Sequence, residues 1–187
     1  MDKKHSIIAI LGMPGAGKST LVKYLTDTYG FEAIYFGGLV LAEVKRRGLE
    51  INQTNEKAVR EELRTQNGMA AMAALSIPRI KQALTENKKV LIDGLYSMEE
   101  LELLQSNFPE KMLTIAIHAA RHKREERMAK RPERPLTAEE LRNRDLVEIK
   151  NINKAPPIVI ADYHYVNDGT EQELINWADQ LFTPSQL

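Results

Sequence analysis

The segment Gly12-Met13-Pro14-Gly15-Ala16-Gly17-Lys18-Ser19 lies directly between an apolar run, Ile7 to Leu11, and a stretch with Leu21, Val22 and Leu25 at helical spacing. A strand that turns into a helix through closely spaced glycines can curl its backbone until successive N–H groups converge on one anion. The helix start then adds its positive end. Gly12, Gly15 and Gly17 meet the first need, and Pro14 stiffens the turn. Lys18 is the residue expected to reach the outer phosphates of a nucleotide, and the Ser19 hydroxyl to ligate the magnesium that bridges them, with Thr20 opening the helix behind. The competing reading, a glycine-rich turn beside a surface lysine, does not explain why strand and helix flank it on the correct sides.

The rest of the chain repeats this pattern of short apolar runs between helical segments, the signature of a parallel sheet with crossover helices. The expected class is α/β, a five-stranded parallel sheet flanked by helices. Its candidate strands are 6–11, 31–36, 89–93, 112–118 and 163–167. Between the second and third lie three expected helices, 39–47, 55–66 and 69–86, broken at Gly48 and Gly68. Ser97, Thr137 and Thr170 each precede a glutamate by three residues, the reciprocal capping pattern of a helix start. From His122 to Lys154 the chain is densely charged, and Arg-Pro-Glu-Arg-Pro at 131–135 reads as a stiff connection within a surface flap.

Twenty-six basic residues balance 26 acidic ones, so no overall field draws the molecule onto nucleic acid or an anionic membrane. Any anion site must be local. The absence of cysteine removes disulfides, thiolate metal sites and cysteine nucleophiles together. It fits a reducing compartment, and a cytoplasmic location is expected. No apolar run approaches the ~20 residues that span a bilayer.

Several other residues are candidates for chemistry. Asp93 ends a strand and precedes Gly94, where a carboxylate can organise magnesium beside the phosphate loop or, alternatively, cap the turn before Ser97. Arg124, Arg127 and Arg131 share one face by their spacing, suited either to phosphate oxygens or to a solvated face paired with Glu125 and Glu126. Arg121, Arg134 and the Arg144-Asp145 pair carry the same ambiguity. Asn167-Asp168-Gly169-Thr170 forms a natural turn after the last strand and is placed to frame a nucleobase through Asn167 and Gly169. His118, His164, Met69 and Met72 read as structural.

Taken together, these pieces resemble the P-loop small-molecule kinases: adenylate kinase, other nucleoside monophosphate kinases and dephospho-CoA kinase. The nearest resemblance is to the adenylate-kinase-like family best known from archaea. It rests on residues 10–20, Leu91-Ile-Asp-Gly-Leu95, Ala116-Ile-His-Ala119, Ala161-Asp-Tyr163 and Val166-Asn-Asp-Gly-Thr170, and covers nearly the whole chain. The resemblance implies one kinase-like domain over 1–187, with ATP and Mg2+ as cofactors. A helical acceptor-binding region would span 39–86, and a lid 121–145. Lys18, Asp93 and the arginines at 124, 127 and 131 would be catalytic. The implied partner is a nucleotide-like small molecule, a nucleoside monophosphate first and dephospho-CoA second, with no general nucleic-acid binding and no membrane. Relatives often read Phe-Gly-Asp after the second strand and carry arginines near 41 and 96; here stand Phe36-Gly37-Gly38, Leu41 and Tyr96. That depletion keeps a second class of function open, a nucleotide-binding switch or NTPase without a small-molecule acceptor.

Overall fold

A computed structural model describes residues 5–132 and 134–182. Strand β1 (Ile7–Leu11) is wholly buried, and its side chains divide by parity. Ile7, Ala9 and Leu11 enter one apolar cluster, while Ile8 and Ile10 enter another on the opposite face. Burial on both faces is why the strand reads as an unbroken apolar run rather than an alternating one. β1 pairs in parallel with β3 (Val90–Asp93) on one side and β4 (Met112–His118) on the other. The edges are β2 (Glu32–Tyr35) and β5 (Tyr163–Val166), giving the order β2-β3-β1-β4-β5. The phosphate loop therefore leaves the central strand, with the β2 and β3 ends to one side and the β5 end to the other.

Helices α1 (Lys18–Tyr29) and α9 (Glu171–Phe182) cover one face through Leu21, Leu25, Leu174, Ala178, Leu181 and Phe182. The opposite face carries α2 (Phe36–Arg46), α3 (Gln53–Asn67), α4 (Ala71–Thr85) and α5 (Met98–Asn107). The breaks at Gly48 and Gly68 fall where expected, both glycines having positive φ. α2 starts directly at Phe36 instead of Leu39, because the buried Phe36 ring opens the helix while still anchoring it to the sheet. Met72 packs in the core of α4, as its alanine-rich surroundings imply.

The charged stretch forms α6 (Arg121–Ala129) and α7 (Ala138–Ile152), followed by the short α8 (Ala155–Val159). α7 opens with a full capping box between Thr137 and Glu140, and Thr170 and Glu173 exchange the same pair of bonds before α9. At Ser97 the pattern is altered: Ser97 accepts from the Glu100 amide, but Glu100 Oε2 accepts the amide of Tyr96 at 2.7 Å. Of the 131–135 connection, Glu133 lies outside the described residues. Arg134 donates two hydrogen bonds, at 2.6 and 3.1 Å, to the buried Glu56 of α3, tying this connection to the helical segment after β2.

Candidate functional site

The phosphate loop is held in shape from two directions. Gly12 has φ 141° and an added Cβ would lie 2.3 Å from the Ile117 carbonyl oxygen, so only glycine fits against β4. Gly17 has φ 106° and would place a Cβ 2.2 Å from Asn167 Nδ2. That amide donates to the Ala16 carbonyl at 2.8 Å, while the Asn167 backbone N–H donates to His118 at 2.8 Å. From the other side Arg124 Nη1 donates to the Pro14 carbonyl at 3.1 Å. Both its terminal nitrogens also engage Asp145, at 3.1 and 2.7 Å, which joins α6 and α7 to the loop.

In front of the loop opens a cavity of about 660 Å³. Pro14, Gly15, Gly17, Lys18, Ser19 and Thr20 form its floor, and Arg127 and Arg131 reach it from α6 and the residues just after. Asn167, Gly169, Glu171 and Leu174 close the β5 side; Tyr35, Asp93, Tyr96, Arg144 and Lys154 close the other. Five cationic side chains face two carboxylates, Asp93 and Glu171, in a chain whose formal charge is zero. The excess of cationic side chains that a local anion site needs is gathered in this cavity. Arg127 Nη2 donates to the Gly169 carbonyl at 3.3 Å, while its Nη1 is buried with no hydrogen-bond partner. Such a donor is costly to leave unmet.

Lys18 Nζ donates to the Met13 carbonyl at 3.2 Å. Burial, and then the neighbouring Lys154 ammonium, push its pKa down to about 7, with Asp93 and Glu148 opposing. The Asp93 carboxyl is pushed up by burial, against the pull of Lys18 and Lys154. Lys154 is 1% exposed. It is ion-paired with Glu148, which also accepts from Arg144 Nε at 2.9 Å, and its ammonium stands 4.4 Å from the centre of the Tyr96 ring. A cluster of charges, buried at Lys154 and Glu148 and open at Arg144, thus surrounds the lysine that the glycine loop presents.

Of the anticipated residues, Gly15, Gly17, Lys18, Ser19, Thr20, Pro14, Asp93, Arg127, Arg131, Asn167 and Gly169 come together around the cavity. Gly12, Met13 and Ala16 support the loop from behind through the contacts above. Arg124 does not line the cavity; Asp145 and Pro14 occupy its guanidinium. Helical spacing placed it with Arg127 but could not reveal that Asp145 faces it from another helix. Arg121 pairs with Glu125 at 2.7 Å. Among the described residues, no side chain from 39–86 lines the cavity; Glu43 and Arg46 pair with each other. Arg64 Nε and Nη2 are buried without hydrogen-bond partners, and burial depresses its pKa against the pull of Glu100. Burial in turn pushes Glu100 up to about 7. His118 and His164 stack, with Nε2 and Nδ1 3.0 Å apart. Tyr35, Met128, Lys154, Glu171 and Leu174 are the cavity residues that the sequence reading did not single out, and Arg144 is one it left ambiguous.

Among known proteins, a family model described as AAA domain matches residues 11–153. A UPF0200 protein from Thermococcus onnurineus is 36% identical over 170 residues, spanning 89% of this chain and 91% of its own length. One from Pyrococcus abyssi is 34% identical over the same length of alignment, spanning 89% and 90%. The chain belongs to the UPF0200 family. Among solved structures, the shikimate kinase from Acinetobacter baumannii in complex with shikimate matches with TM-score 0.60 and 21% identity, over 99% of this chain and 97% of that one. A gluconokinase from Sinorhizobium meliloti matches with TM-score 0.56 and 15% identity, over 99% of each. The UPF0200 chain therefore has the fold of the P-loop small-molecule kinases. Among the described residues of this UPF0200 protein, no three histidine or acidic side chains gather into a metal site of their own, and no helix is long and apolar enough to cross a membrane. Ser19 and Asp93, a hydroxyl and a carboxylate, both line the cavity. That sparse, hard donor set suits magnesium, which keeps waters and takes its remaining ligands from phosphates.

Proposed function

We propose that this protein is an ATP-dependent phosphotransferase that moves the γ-phosphoryl group to a nucleotide-like small molecule, a nucleoside monophosphate first and dephospho-CoA second. The observation that carries the reading is the cavity itself, where five cationic side chains and the glycine loop converge with room left on both sides. The loop amides and Lys18 hold the β- and γ-phosphates, with Lys18 leaving the Met13 carbonyl to do so. Asn167 and Gly169 line the nucleoside side. Ser19 and Asp93 would hold magnesium, which would neutralise phosphate charge. Arg127, through its unmet Nη1, and Arg131 stabilise charge on the transferring group as the bond to the β–γ bridging oxygen breaks and the bond to the acceptor oxygen forms. The segment 121–145 acts as a lid, linked through Arg134 and Glu56 to the helical region 39–86, and together they exclude water.

The two acceptors differ in their demand for a base. A nucleoside monophosphate attacks through an oxygen that is already anionic. A dephospho-CoA hydroxyl must also lose its proton to a base. A second reading, an NTPase or switch without a small acceptor, is favoured by Gly38, Leu41 and Tyr96.

ADP release from magnesium-ATP across nucleoside monophosphates, deoxynucleotides, dephospho-CoA and nucleosides tests the choice. Stimulation of at least tenfold by one acceptor class is expected, whereas a rate indifferent to every acceptor sinks the kinase reading in favour of the NTPase.

Lys18 also predicts a pH dependence. Its free pKa is about 7, and phosphate contact favours the charged form, raising that value. Above pH 7 binding must therefore take up a proton, and affinity for magnesium-ATP should fall by up to about tenfold per pH unit until the bound pKa is reached. Calorimetry at pH ~8 in buffers of different ionisation enthalpy should find uptake approaching one proton. Zero uptake would mean that Lys18 is already charged in the free protein.

A further inference from the structure

Lys154 is buried, charged and unused by the reading above. It lies on the far side of the phosphate loop from Asn167 and Gly169, because the loop leaves β1 at the centre of the sheet, β5 lies at one edge, and Tyr35, Asp93 and Tyr96 follow β2 and β3 on the opposite side. On that side Lys154 lines the cavity with Arg144, and its ammonium rests over the Tyr96 ring. Their nearest carboxylate, Glu148, is shared: Arg144 Nε and Lys154 Nζ both donate to it. The next one, Asp145, is held at both oxygens by Arg124. With Asp93, which attracts both Lys18 and Lys154, three cations thus face two carboxylates, and Lys154 also repels Lys18. A buried charge is normally balanced, and Lys154, which unlike the 43% exposed Arg144 side chain has almost no access to water, carries the cost of any charge left unbalanced. An anion arriving beside Tyr96 supplies the missing balance.

We propose that Lys154, together with Arg144, forms a phosphate subsite on the Tyr96 side of the cavity, which receives a phosphate monoester carried by the acceptor. The inference rests on the kinase reading and deepens it. The acceptor's anion is met from α7 and the start of α8, not from the 39–86 helices, none of whose described side chains reaches the cavity wall. Tyr35 and Tyr96, whose rings both pack against Gly94, offer an aromatic surface beside that anion. The ligand this side suits is planar as well as phosphorylated. Lys154 is then specific to the acceptor, while Lys18 serves the donor.

The test uses the full chain as wild type, Lys154→Met and Lys154→Arg. Methionine keeps the length and packing, and leaves Glu148 paired with Arg144, so the variant retains a balanced interior. Calorimetric titrations with magnesium-ADP, and with inorganic phosphate in the presence and absence of magnesium-ADP, are paired with thermal melts. Expected is magnesium-ADP affinity within about twofold of wild type in all three, phosphate affinity lowered at least tenfold in Lys154→Met, and partial recovery in Lys154→Arg. With a phosphorylated acceptor, KM should rise more than kcat falls. Phosphate binding equal in wild type and Lys154→Met overturns the proposal, as does absence of phosphate binding to wild type. A parallel loss of phosphate, nucleotide and melting temperature in Lys154→Met also overturns it, by making the residue an internal strut. Failure of the kinase reading shows separately, as wild type that binds phosphate through Lys154 yet transfers no phosphoryl group from ATP.

Discussion

Lys18→Ala should lower the rate of phosphoryl transfer by about 10³-fold, the scale of losing one preorganised charge at a reacting centre. The loss should fall on kcat at least as heavily as on KM, because the ammonium follows charge that moves onto the β–γ bridging oxygen as the bond breaks. Stability should move the other way. In the free protein Lys18 has one hydrogen-bond partner, the Met13 carbonyl, and stands near a second ammonium, Lys154. Its depressed pKa means that folding works against its charged form, in full below about pH 7 and less and less from there up to the ordinary lysine range. Within that window the unfolded chain binds more protons than the folded one, so stability rises with pH, and the alanine variant loses this dependence. An inactive variant that melts at or above the wild-type temperature at pH 7 is the expected result, a site that trades stability for function. Retained transfer activity, read as ADP formation with the best acceptor, would remove Lys18 from the mechanism. A marked fall in melting temperature would show that the lysine is a structural group.

Arg124→Leu should destabilise the fold by about 3 kcal/mol, a large effect because it leaves a partner charge behind. The Arg124 and Asp145 side chains are only 11% and 15% exposed. Leucine would strand the Asp145 carboxylate and withdraw the donor that meets the Pro14 carbonyl. For a chain of this size a loss of 3 kcal/mol corresponds to roughly 10 °C in Tm. The pairing also predicts how the damage is repaired. Arg124→Leu with Asp145→Leu should recover part of the loss, since no unpaired charge then remains, although the Pro14 contact stays broken. Differential scanning fluorimetry on both variants reads this directly; a single variant that melts with wild type would dissociate Arg124 from the architecture of the loop.

The phosphate loop and the sheet were legible because their determinants are local. Glycines at 12, 15 and 17, an apolar run before them and a helical pattern after them all lie within one short stretch. Strands buried on both faces read as apolar runs, which is why β1, β3 and β4 were found nearly residue for residue. The arginines show the limit of such reading. Spacing put Arg124 and Arg127 on one helical face, but Asp145, which claims the first of them, arrives from α7. Lys154 lay deeper. It follows Asn153 in a charged stretch, its carboxylate partner is on another turn of chain, and the ring beneath it comes from the far side of β3. Nothing nearby marks it, and the Ala-Pro-Pro-Ile-Val sequence after it does not look helical, although it forms α8. Glu148 and Arg144 at helical spacing before a lone lysine were the only trace.

The most direct test of the central claim follows the terminal phosphate itself. Protein, magnesium-ATP labelled in the γ-phosphoryl group and the phosphorylated acceptor that most stimulates ADP release are incubated, and the label is partitioned by chromatography and mass. The account predicts that most of the label enters an organic product, one phosphoryl group heavier than the acceptor, and that Lys18→Ala abolishes this. Label recovered only as inorganic phosphate, at the same rate with and without acceptor, would contradict it.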